Sequence, residues 1–162
     1  MSSRNLNELV SEYKEVLASG NVQTAYQSLV AIVQGLRTEF SKKFRDEYKT
    51  ANVLHGYIDF TYFYLQSEFL KQRKLKLAIV LNHQHANFEL WLLGQTKDVQ
   101  VDYWQRLRAF EWVNAQEMPE YSIFETILLE APDFDNRAQM FEAIVANFEV
   151  LSARVLRELE AL

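Results

Sequence analysis

The chain is 162 residues long and 49% apolar, with four glycines, two prolines and a formal charge of −5. That length holds one well-buried core and not two, and the composition excludes disordered and low-complexity classes. The absence of cysteine excludes disulfides and thiolate metal sites, as in a reducing cytoplasm, and the acidic balance disfavours binding nucleic acid over the whole surface.

The opening MSSRNLNELVSEY lacks the apolar h-region of a signal peptide. No run approaches the roughly 18 apolar residues that cross a bilayer. A soluble, cytoplasmic single domain over residues 1–162, without membrane contact, is expected. Asn5 and Glu8 form a capping-box pair. Leu6, Leu9, Val10, Tyr13, Val16 and Leu17 then share one helical stripe, which Gly20 can end in a left-handed conformation. A second helix starts at Asn21 with a face of Val22, Ala25, Leu29, Ile32, Val33, Leu36, Phe40 and Phe44. So short a connection forces an antiparallel hairpin. Lys42, Lys43 and Arg45 near its end answer the helix dipole.

From Gly56 to Gly94 three aromatic-rich apolar runs of strand length follow, GYIDFTYFYL, KLKLAIVLNH and NFELWLLG. Alternation puts Leu75, Leu77, Ile79 and Leu81 on one face, and Lys76, Ala78, Val80 and Asn82 on the other. Phe88, Leu90 and Leu92 likewise oppose Glu89, Trp91 and Leu93. A turn of His83, Gln84, His85 and Ala86 pairs Leu81 with Phe88, Val80 with Glu89 and Ala78 with Trp91. In the first strand, Ile58, Phe60, Tyr62 and Tyr64 are assigned to the core side. Asp59, Thr61 and Phe63 then face the same way as Lys76, Glu89 and Trp91.

Thr96 caps a third helix carrying Val99, Val101, Tyr103, Trp104 and Leu107. Residues 121–129 (YSIFETILL) fit a strand or a helix in part; the β-branched content and nearby Pro132 favour a fourth strand. A last helix from about Asp135 carries the seam Phe141, Ile144, Phe148, Leu151, Val155, Leu159 and Leu162, long enough for a contact between two copies. The fold class is α+β: an antiparallel sheet of three or four strands, covered by an N-terminal helical hairpin and a long C-terminal helix.

Two sets of side chains carry candidate chemistry. Asp59, Glu89 and Lys76 on one sheet face would suit two magnesium-binding carboxylates beside a phosphate-facing cation. His83 and His85, with His55 before the first strand, could share zinc or nickel, but spacing specifies no third ligand. The basic run Lys71, Arg73, Lys74, Lys76 beside Tyr57, Tyr62, Phe63 and Tyr64 has the makings of a single-strand binder. Glu68 interrupts that run and the core claims the aromatics, so a solvated connector is expected.

The order helix, three strands, helix, strand resembles the core of restriction-endonuclease-like nucleases. That core carries an acidic residue, any residue, then Lys on one strand, where this chain has Glu89, Leu90, Trp91. Over nearly its whole length the chain also resembles a family of small bacterial and archaeal proteins without an assigned activity. GYIDFTYF, KLKLAIVLNH, FELWLLG, Gln100 with Trp104, and the PDF turn at Pro132–Phe134 carry that likeness. The resemblance implies a stand-alone domain and directs attention to Asp59, Lys76, His83, Glu89 and Trp91.

No nucleophile–base pair, glycine-rich loop or complete ligand cluster emerges. The expected function is a non-enzymatic binding or regulatory module that needs no cofactor. Its contact surfaces would be the sheet face around Trp91, with His83 a second ligand-binding candidate, and the C-terminal helix as a homo-oligomer contact; its protein or small-molecule partner is unspecified. The alternative is a magnesium-dependent, nuclease-like enzyme, the one reading under which nucleic acid is a partner.

Overall fold

The computed structural model describes residues 3–162. Along the chain come α1 (Leu6–Leu17), α2 (Asn21–Lys43), β1 (Lys49–Thr50), β2 (Leu54–His55) and β3 (Phe60–Gln66). They are followed by α3 (Glu68–Gln72), β4 (Leu75–Asn82), β5 (Asn87–Gly94), α4 (Lys97–Arg106), β6 (Phe124–Leu129) and α5 (Arg137–Glu160). The strands form one antiparallel sheet in the order β1–β3–β4–β5–β6, with β2 also paired to β3. The α+β class is as expected, but the sheet has six strands and not three or four. The additions β1 and β2 are two residues each, too short to show an alternation. Residues 121–129 resolve in favour of the strand, as β6. No described helix is long and apolar enough to cross a membrane.

The β4–β5 hairpin has the register read from its alternation, with Leu81 opposite Phe88, Val80 opposite Glu89 and Ala78 opposite Trp91. The core lies on the Leu75, Leu77, Ile79, Leu81 side. Phe40 of α2 and Phe148 of α5 meet there edge to face at 5.0 Å, and Phe40 also contacts Phe63 of β3 at 5.6 Å. Such pairs stabilise beyond the area they bury. Ile144, Phe148, Val155 and Leu159 of the α5 seam are buried in this core, so most of that seam is occupied within the chain. Thr96 caps α4 by accepting from the Val99 amide at 3.3 Å. Gly94 lets that helix approach, since a Cβ there would sit 2.6 Å from the Gln100 nitrogen.

Phe63 forces a correction in β3. Thr61, Phe63 and Leu65 stand opposite Leu81, Ile79 and Leu77 and are fully buried in the main core. Phe60, Tyr62 and Tyr64 take the other face, the reverse of the expected phase. Ile58 has φ +64°, which breaks the alternation before the strand begins. Within FTYFYL both phases carry bulky apolar side chains, Phe60, Tyr62 and Tyr64 in one and Phe63 and Leu65 in the other, so periodicity alone does not choose between them.

The helical hairpin also covers less than expected. Asn5 and Glu8 close the capping box on α1, with the Glu8 amide 2.9 Å from Asn5 Oδ1. Gly20 turns the chain at φ +79°. Yet α1 buries no residue, and Leu6 is 74% exposed. In α2 the buried residues are Val33, Leu36 and Phe40, all in its second half. A 23-residue helix extends roughly 35 Å, and its first half outruns the core.

Two outcomes follow for stability. Ile79, 1% exposed, sits in the middle of the core. Ile79→Asp should abolish cooperative melting, because an unpaired buried carboxylate costs several kcal/mol, comparable with the ~5–15 kcal/mol of a whole domain; an unchanged melt would refute the face assignment. A chain lacking residues 1–18 should melt within about 2 °C of the full one, less than roughly 1 kcal/mol would shift it. A fall of more than about 5 °C would show that α1 is docked.

Candidate functional site

The β3 phase decides what lies on the second face of the sheet. Ala78, Val80, Trp91 and Leu93 form a separate apolar cluster there, packed by Phe60, Tyr62 and Tyr64. Among the described residues, none from a helix joins that cluster. Over it opens a groove of 410 Å³. Ala78, Val80 and Leu93 line it beneath Tyr62, Tyr64 and Trp91, and Tyr57 and Tyr121 reach it from the loops. Tyr57 is 98% exposed, an aromatic ring left in water at the groove.

Trp91 is held on two sides. Its Nε1 donates to Glu89 Oε1 at 2.8 Å, and Phe60 meets the indole edge to face at 4.9 Å. The other Glu89 oxygen accepts from Asn82 Nδ2 at 2.9 Å. Glu89 is 6% exposed, and a buried carboxylate is tolerable when such donors answer it. Glu125, across the ladder from Trp91, accepts from Ser122 Oγ at 3.1 Å. Partial burial, and secondarily Glu89, push its carboxyl above the usual range, against the Ser122 hydrogen bond.

Lys76 lies with its Nζ 3.7 Å from the centre of the Tyr64 ring. Burial holds its ammonium below the ordinary lysine value. Tyr64 is pushed up to about 12 by burial and by neighbouring Tyr62, so its hydroxyl keeps its proton as a donor. Asp59 lines the groove too. Its Oδ1 accepts from the Phe60 amide at 2.7 Å, beside Gly56, where a Cβ would stand 2.3 Å away.

The structure thus brings Asp59, Lys76 and Trp91 to one groove. Glu89 does not line it, its two oxygens being engaged by Trp91 and Asn82. His83 points to the helical side: Nε2 is 2.7 Å from Thr61 Oγ1 and the ring packs on Tyr26 of α2 at 5.3 Å. His85 is exposed in the turn and His55 in β2. Among the described residues, no group of three His, Asp or Glu side chains is placed to hold a metal ion. The sequence reading missed Phe60, Tyr62 and Tyr64 as site residues. A signal was present: Tyr62 and Tyr64 have hydroxyls that need partners, whereas Phe63 and Leu65 have none.

Burial lowers the His83 pKa below 6.5, against a smaller raising effect of Asp59. The unfolded chain therefore takes up this proton first as pH falls. His83 contributes stability that is complete above pH 6.5 and is lost as pH falls from there through the folded value. Melting temperature followed from about pH 7.5 to 5 should fall less steeply in His83→Gln than in the wild type; equal slopes would contradict this placement.

Residues 6–159 match the family model described as a domain of unknown function, DUF7000. No curated protein and no solved structure matches the chain. The match takes in every helix and strand described except the last residue of α5, and the chain belongs to the DUF7000 family.

Proposed function

We propose that this protein is a non-enzymatic binding module that takes a small organic ligand on the uncovered face of its sheet. The carrying observation is the aromatic groove, whose 410 Å³ falls within the roughly 300–1,000 Å³ of small-molecule sites. Its composition suits that use, with apolar floor residues, flat aromatic walls and a few polar groups to orient the ligand. The Glu89–Trp91–Phe60 contacts also favour a preformed site, which lowers the ordering cost of binding.

The magnesium-dependent nuclease reading has less support. A shared ion would need Asp59 and Glu89 oxygens each about 2.0–2.1 Å from it. Glu89 would have to turn an oxygen away from Trp91 or Asn82 to reach one. The binding reading leaves that network intact.

Titration of ¹⁵N-labelled protein with indole and with 2-naphthol tests the proposal. Shifts should centre on the amides of Tyr62, Tyr64, Ala78 and Trp91, and Tyr62→Ala should weaken binding at least about fivefold, the low end for one stacked ring. Shifts centred on the helical side, or none at millimolar fragment, would overturn it.

A further inference from the structure

The two charged side chains lining the groove stand at opposite ends. Lys76 is opposite Leu93, whereas Asp59 directly precedes Phe60, which is opposite Asn82. Six β4 positions separate those rungs, roughly 20 Å of strand. Asp59 already accepts a hydrogen bond from the Phe60 amide. Lys76 has the Tyr64 ring face and no carboxylate: the ion pairs among the described residues are Arg4–Glu12, Lys43–Glu149, Arg106–Asp102 and Arg154–Glu111. A half-buried ammonium without a counter-charge favours whatever anion can reach it. Gln95, which follows Gly94 at that end, lines the groove and offers a further amide donor.

Building on the binding-module reading, we propose that the ligand is a planar, ring-bearing anion. Its carboxylate or phosphate pairs with the Lys76 ammonium, and its ring lies among Tyr62, Tyr64 and Trp91. Aromatic boxes elsewhere take quaternary ammonium groups, but here Lys76 already occupies a ring face and repels a second cation. A nucleic-acid strand fits poorly, because it needs a track of cations along its phosphates and this groove has one.

Four probes on one ring system separate the possibilities: 2-naphthoate, 2-naphthyl phosphate, 2-naphthylmethanol and 2-naphthylmethylammonium, each titrated into the labelled full chain. At least one anion should bind about tenfold tighter than the alcohol, as one charge-assisted contact provides, and the tighter anion names the head group. Lys76→Gln should erase that preference, bringing the anion and the alcohol within about twofold of each other, and Lys76→Arg should keep it; melting curves verify that both variants fold. If the alcohol or the ammonium binds the wild type as tightly as the anions, or if Lys76→Gln keeps the preference, the anion proposal fails and the groove reading stands. If none of the four perturbs the groove amides, both fail.

Discussion

The β4–β5 ladder runs from Leu75 opposite Gly94 to Asn82 opposite Asn87, and between its ends both faces are almost wholly removed from water. One face is covered in the usual α+β way, by the second half of α2 and by α5. Among the described residues no helix joins the apolar cluster on the other face, and the remaining cover comes from β3. Phe60, Tyr62 and Tyr64 must therefore turn to that side, and Thr61, Phe63 and Leu65 must fill the core. The groove is a consequence of this division: aromatic rings cover the second face of the sheet without closing over it.

The polar groups on that face divide into those that build it and those left available. Glu89 is held by Trp91 and Asn82, and removing either donor would leave a buried carboxylate short of partners. Its Oε1 fixes the indole of Trp91. Lys76 differs, because its neighbour is a ring and not an anion. The β4–β5 hairpin thus places Glu89 and Lys76 on one face with different partners, and the residue types alone do not reveal which has which.

The β4–β5 hairpin was legible because Leu75, Leu77, Ile79 and Leu81 alternate with residues of a different kind, and Leu81 and Phe88 flank a four-residue turn. The capping box at Asn5 and Glu8, the Thr96 cap and the α5 seam were legible for equally local reasons. The β3 phase was not, since aromatic residues fall on both of its faces and the left-handed Ile58 breaks the alternation that would have carried Ile58 and Phe60 to the same side. The α1 stripe has clear amphipathic spacing yet buries no residue among those described, because spacing shows that a face is apolar and not what covers it. Asp59, Lys76 and Trp91 were singled out as residues, but the walls that join them were hidden by the β3 phase.

The most direct test of the account is a nuclear Overhauser spectrum of the aromatic and methylene protons of β3 and its neighbours. The account predicts contacts from the Lys76 side-chain methylenes to the Tyr64 ring and from the Phe63 ring to the Phe40 ring. Contacts from Tyr62 or Tyr64 to Phe40 or Phe148 would place the tyrosines in the core and contradict it.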